Sequence, residues 1–202
     1  YKSRTFFFKK TGNNGSGKST LRSLIGDKIG LGINVDPDAI ARSIDPVNPE
    51  NVSLSAGKEA TRLIRDCISQ RKSFSMEGTM GGKNVTRNII MAKKECFEVT
   101  VFFVGLGDVE LNIERVASRV SNGGHSIKEA DIRHRETASM NHLLETLPYI
   151  DNLVVIDNSK SDGWSVLETS GGQITFIDDN IPTWTSRIVD AYSLTIKRFP
   201  GC

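Results

Sequence analysis

The stretch TGNNGSGKST, residues 11–20, restricts the architecture of this chain more than any other. Gly12, Gly15 and Gly17 crowd into a short loop that follows the apolar run TFFF and ends in Lys18 and Ser19. The apolar run reads as a strand over Thr5–Lys10, and Lys18–Ile29 reads as the helix that the loop opens. Glycines at these spacings let the backbone curl until its N–H groups point inward, and the helix N-terminus adds partial positive charge. Such a loop is a cradle for phosphate oxygens.

Gly12, Gly17, Lys18 and Ser19 together satisfy G-x-x-x-x-G-K-[ST]. Gly12, Asn13, Asn14, Gly15, Ser16, Gly17, Lys18, Ser19 and Thr20 are therefore expected to wrap the phosphates of ATP. Lys18 would reach the β and γ oxygens, and the Ser19 hydroxyl would ligate Mg²⁺. The competing use of such a loop, a glycine turn with a helix cap, is disfavoured by the strand before it and the helix after it. Kinases, switch GTPases and motor ATPases share the loop, so it does not fix the reaction.

Strand and helix signals alternate along the rest of the chain. GINVD is a second strand ending at Asp36. Ala56, Ala60, Leu63, Ile64, Cys67 and Ile68 recur at spacings of three and four, which predicts a helix over Ser53–Arg71. SFSM is a third strand ending at Glu77, Lys83–Glu95 a helix, and FEVTVFFVG a fourth strand apolar enough to be covered on both faces. Helices over Asp108–Val120 and Glu129–Leu147 flank SNGGHS; NLVVID is a fifth strand, and WSVLE and QITFI a small hairpin. This order predicts an α/β chain with the three-layer, nucleotide-kinase-like P-loop fold: a mainly parallel five-stranded sheet, a helical lid over about 108–147, and a C-terminal hairpin and helix over about 164–192. A single domain over 1–202 is expected.

A net charge of +2 is too balanced to suggest a nucleic-acid partner. No apolar run approaches the roughly 20 residues of a membrane span. A cytoplasmic location is expected, with no membrane association. Cys67, Cys96 and Cys202 are odd in number and widely spaced, which speaks against a disulfide framework or a zinc site. Cys67 and Cys96 are expected to be buried thiols.

Three further segments carry candidate chemistry. NVDPDAIAR sets Asp36 at a strand end and Asp38 two residues on, opening a helix. A carboxylate there faces the γ-phosphate and could take the proton of an attacking hydroxyl; helix capping is the alternative for either residue. SMEGTMGG presents Glu77 and Thr79 on a glycine-flanked turn, suited to sugar or ribose hydroxyls or to capping the next helix. IERVASRVSNGGHS places Arg115 and Arg119 four apart on one helix face, before a glycine pair and His125. Guanidinium groups on a closing lid would neutralise a transferring phosphoryl group. Arg42, Lys83 and Arg87 lie on segments that could serve the diphosphate of an acceptor.

Taken in order, GNNGSGKST, NVDPDAIAR, SMEGTMGG, IERVASRVSNGGHSI and VVIDNS resemble the zeta-toxin family of small bacterial P-loop kinases. The resemblance implies an ATP-dependent kinase acting on a nucleotide-sugar hydroxyl, that of UDP-N-acetylglucosamine in the characterised branch, with an antitoxin protein as partner. Carried over, Lys18 and Ser19 would bind phosphate and Mg²⁺, and Asp38 would be the base. Glu77 and Thr79 would contact the nucleotide sugar, with Arg42 nearby. Arg115 and a second lid arginine would neutralise the γ-phosphate. Arg119 fits the RV motif, while Arg133 and Arg135 belong to the following basic helix. The sequence departs from the family at Asp36, usually Asn; at Asn13, where a proline is usual; and at Glu136, a position often aromatic. Two other functions remain open: a nucleotide-binding regulatory module without phosphotransfer, and a P-loop kinase of another metabolite or an antibiotic.

Overall fold

The computed structural model describes residues 5–18, 32–124, 126–160 and 162–193. The helix expected over Lys18–Ile29, with Ser19 and Thr20, lies outside the described residues after Lys18, as do His125 and Cys202.

The strands are β1 (Phe6–Gly12), β2 (Asn34–Val35), β3 (Phe74–Glu77), β4 (Glu98–Gly105), β5 (Asn152–Asp157), β6 (Trp164–Ser170) and β7 (Gln173–Ile177). The helices are α1 (Pro37–Ile44), α2 (Ser53–Ser69), α3 (Lys83–Lys94), α4 (Val109–Ser121), α5 (Glu129–Thr146) and α6 (Ser186–Ser193). All strands join one seven-stranded sheet in the order β2-β3-β1-β4-β5-β6-β7. The first five pair in parallel, and β5-β6 and β6-β7 pair antiparallel. The expected five-stranded sheet is thus too small. The hairpin is not an appendage, because β6 lies along β5, from Asn152↔Ser170 to Asp157↔Trp164, and extends the same sheet.

The core follows from the residue patterns. On β1, Phe7, Lys9 and Thr11 point to one face and are fully buried, and Phe7 stacks on Phe74 with ring centroids 4.6 Å apart. Buried Ala60, Ile64, Cys67 and Ile68 of α2, Ile89 and Ala92 of α3, and Leu143 of α5 pack with that face in one cluster. Val104 and Ile156 form a second, smaller cluster with Phe102 and Val154. Cys67 is buried, as expected, but Cys96 is exposed and takes a left-handed backbone (φ 63°) in the turn after α3. The helical periodicity ends before it, so it never belonged to the apolar stripe.

Strand order reverses at β1, whose neighbours are β3 and β4. In parallel sheets a crevice opens at such a switch point, beyond the carboxyl ends of the strands. That places the glycine loop after β1 beside the turns after β2 and β3.

Candidate active site

A cleft of about 790 Å³ opens at this switch point. Its lining gathers Asn14, Gly15, Gly17 and Lys18 from the loop, Asp36, Asp38 and Arg42 from the β2-α1 segment, and Glu77 and Thr79 from the turn after β3. Arg115 and Arg119 reach it from α4, Arg135 from α5, and Asn158 and Lys160 from the segment after β5. Gly12, Asn13 and Ser16 belong to the loop but not to the lining. Lys83 and Arg87 are exposed and off the cleft; α3 turns Asn84, Val85 and Asn88 toward it instead.

The loop is held by asparagines reaching in from other segments. Asn112 Nδ2 donates to the Asn14 carbonyl at 2.7 Å, and Asn158 Nδ2 to the Ser16 carbonyl at 2.8 Å. Asn13, buried, donates to the Ile132 carbonyl of α5 at 3.2 Å, and its Oδ1 accepts from the Asn14 N–H at 2.8 Å. Burial pushes the Glu136 carboxyl up, an effect that Asn13 partly offsets. The loop is therefore braced before any ligand arrives, which lowers the entropy a ligand must supply.

Within the loop, Lys18 Nζ donates to the carbonyls of Gly12 at 3.0 Å and Asn13 at 2.7 Å. Burial first, with repulsion from Arg119 and Lys10, brings its pKa down to about 8 against the pull of Glu77 and Asp38. A partly desolvated ammonium resting on two neutral carbonyls gains when a phosphate oxygen replaces them. Gly15 and Gly17 take positive φ (79° and 85°), and the buried Ser16 Oγ has no partner among the described residues. Curled backbone, a spare hydroxyl and an under-paired ammonium suit a polyanion.

Gly12 is where the loop tolerates least. A Cβ there would sit 2.1 Å from the Val104 carbonyl oxygen on the adjacent strand, a backbone atom with nowhere to go. We expect Gly12→Ala to cost roughly 3 kcal/mol or more of stability, through strain and strand displacement. Thermal unfolding of the variant against wild type checks this.

The two aspartates after β2 divide their work. Asp36 is the N-cap of α1, its carboxylate accepting the Asp38 N–H at 3.0 Å, with Arg42 3.9 Å away. Asp38 is exposed in the first turn, and its field reaches Lys18 across the cleft. Among the described residues no hydrogen bond reaches its carboxylate.

The arginines also separate. Arg115 lines the cleft, yet its guanidinium donates to the carbonyls of Asn158 at 2.9 Å and Ser159 at 3.2 Å, bracing the segment after β5. Arg133 is exposed, off the cleft, and paired with Glu110 and Glu129. Arg135 sits over the loop and donates to Asn14 Oδ1 at 2.9 Å. Arg119 lines the cleft one turn beyond Arg115. The glycine pair after α4 closes that helix, Gly123 N–H bonding the Val120 carbonyl at 3.0 Å and Gly124 N–H the Arg119 carbonyl at 2.9 Å.

Asp157, at the end of β5, is buried and accepts from Ser159 and, at 2.7 Å, from the Trp184 indole. It is occupied as a structural acceptor. Trp184 lies flat against Gly105 and Gly107, where any Cβ would fall within 2.5 Å of the ring, and so seals the ends of β4 and β5. Sequence reasoning had no signal for Trp184, for Asn112 or for Lys9, because each acts across a long separation. Among the described residues no group of three or more His, Cys, Asp or Glu is placed to hold a metal ion, and no helix is long and apolar enough to cross a membrane.

An uncharacterized protein of Haemophilus influenzae is 40% identical over 124 residues, 61% of this chain and 87% of the relative. The crystal structure of AvrRxo1-ORF1 with AvrRxo1-ORF2 and sulphate ions superposes with a TM-score of 0.70 at 15% identity, over 96% of this chain and 66% of that one. The same pair solved with ATP gives 0.64 at 14%, over 96% and 66%. This chain thus spans just under two thirds of that neighbour's length. A chain from the PezAT chromosomal toxin-antitoxin system of Streptococcus pneumoniae gives 0.61 at 15% identity, over 95% of this chain and 86% of that one. These likenesses carry the P-loop kinase fold. The family described as zeta toxin matches residues 11–163, and with the loop, strand order and cleft in place the chain belongs to the zeta toxin family.

Proposed function

We propose that the chain is an ATP-dependent phosphotransferase acting on a hydroxyl of a nucleotide sugar, UDP-N-acetylglucosamine, within a toxin-antitoxin pair and as one catalytic domain over 1–202. The observation that carries this reading is the convergence of Lys18, Asp38, Glu77, Thr79 and Arg119 on one cleft at the switch point. Family membership and the ATP-bound structural neighbour support ATP as the donor.

In this reading the loop from Gly12 to Thr20 cradles the triphosphate, and Lys18 leaves the Gly12 and Asn13 carbonyls for the β and γ oxygens. The Ser19 hydroxyl would hold Mg²⁺, which would supply charge neutralisation at the phosphates. Glu77, Thr79 and Arg42 hold the acceptor. Asp38 accepts the acceptor's hydroxyl proton as the oxygen bonds the γ-phosphorus and the bond to the β–γ bridging oxygen breaks, releasing ADP. Arg119 and Arg135 face the charge that spreads over the transferring group. Arg115 acts on the same charge more weakly, since two of its N–H groups brace the segment after β5.

The acceptor is tested by competition. With ATP, Mg²⁺ and equimolar UDP-sugars, NAD, nucleosides and an aminoglycoside, we expect phosphate on UDP-N-acetylglucosamine alone. Phosphate on another member of the panel would keep the kinase and overturn the substrate. An antitoxin partner is tested by co-expressing the gene's neighbour and asking whether the copurified complex loses activity.

A further inference from the structure

Lys9 is a buried cation that the mechanism above does not use. It sits in the middle of β1, between β3 and β4, and is fully buried on the face that carries Phe7 and Thr11. Its stem runs past Met76, its register partner, and Nζ emerges beneath the turn after β3, donating to the Gly78 carbonyl at 3.3 Å. Among the described residues the charged side chains that are buried are Lys9 and Asp157, and their situations differ. Asp157 is met by Ser159 and Trp184, whereas the Lys9 ammonium, with three donors, makes one long bond among the described residues. A buried ammonium this poorly paired is expensive, and its buried apolar register partners, Met76 and Val101, would tolerate a methionine there.

What faces Lys9 points to its use. Glu77 from the end of β3 and Asp36 from the end of β2 attract it, and Lys18 from the phosphate loop repels it. Gly78, whose carbonyl it holds, lies between Glu77 and Thr79, the two groups that the proposed function gives to the acceptor. We propose that Lys9 is a positioning residue for the acceptor: its ammonium clasps the Glu77–Thr79 turn from below and offsets the carboxylates of Glu77 and Asp36. This rests on the phosphotransfer reading. Burial, reinforced by Lys18, brings the Lys9 pKa down to about 7, so the clasp is charged below neutral pH, is about half charged near it, and weakens as pH rises.

The test compares the full chain with Lys9→Met and Lys9→Gln, the latter keeping a donor for the Gly78 carbonyl without the charge and serving if methionine fails to fold. Between about pH 7 and 10 the folded wild type binds fewer protons at Lys9 than the unfolded chain, so its stability rises with pH there. The wild-type melting temperature should therefore gain on that of both variants over this window. A difference constant with pH overturns a buried ammonium at Lys9.

Kinetics use MgATP and the acceptor that the wild type phosphorylates best in the panel. We expect the acceptor KM to rise about tenfold in both variants, with Kd for MgATP changed by less than about threefold. The wild-type acceptor KM should climb above neutral pH, and the variants should lose that climb. Unchanged acceptor KM in a folded variant, equal losses for both ligands, or a loss that tracks the unfolded fraction overturns the positioning role. A wild type that transfers phosphate to nothing in the panel sinks the phosphotransfer reading, and the role of Lys9 falls with it.

Discussion

Lys18→Ala is expected to lower phosphoryl transfer by roughly 10³-fold while leaving the fold intact. The ammonium that rests on the Gly12 and Asn13 carbonyls is the loop's mobile charge, and transfer needs it on the β and γ oxygens. Its loss also removes a desolvated cation, which is why stability should not suffer. Circular dichroism and melting would report the fold, and release of ADP the turnover. Undiminished turnover in a folded Lys18→Ala variant would contradict the phosphate-loop assignment.

Asp38→Asn is expected to lower turnover by about 10² to 10⁴ with Kd for ATP nearly unchanged, the usual share of a general base. The amide keeps size and polarity but takes no proton. Asp36→Asn is the control that the structure makes sharp: asparagine caps a helix as well as aspartate does, so the bond to the Asp38 N–H survives and turnover should fall far less. A larger loss at Asp36 than at Asp38 would reverse the two assignments and leave Asp38 as a surface residue of the first turn.

Much of this was legible in the sequence where the signal is local. The strand and the loop that follows it needed only the apolar run and the glycine spacing, and β1 to β5 fall where period and turn residues placed them. The N-cap of α1 was readable as a choice between two aspartates, and backbone geometry resolved it in favour of Asp36. What stayed hidden depends on pairing across the chain. No pattern within WSVLE or QITFI says that their hairpin will extend the main sheet through β5 rather than stand apart from it.

Two residues that the resemblance marked as departures lie at the junction of the loop and α5. Asn13 and Glu136 are 123 positions apart in the sequence, yet Asn13 bonds the Ile132 carbonyl of α5 and partly offsets the upward shift that burial gives Glu136 on the same helix. The lid arginine was ambiguous for a similar reason. Arg133 and Arg135 are two residues apart on one helix and so point differently, one to surface carboxylates and one to Asn14. Helical spacing shows that they diverge, but not which one meets the loop.

The central claim, that this cleft transfers phosphate rather than merely holding a nucleotide, is tested most directly by the mass of the acceptor. Wild-type protein incubated with ATP, Mg²⁺ and UDP-N-acetylglucosamine should yield a sugar nucleotide heavier by about 80 Da, one phosphoryl group, matched by an equal amount of ADP and formed at least about 10²-fold more slowly with Asp38→Asn. Tight ATP binding with no ADP formed and every acceptor in the panel at its starting mass would contradict the account and leave a nucleotide-binding module in its place.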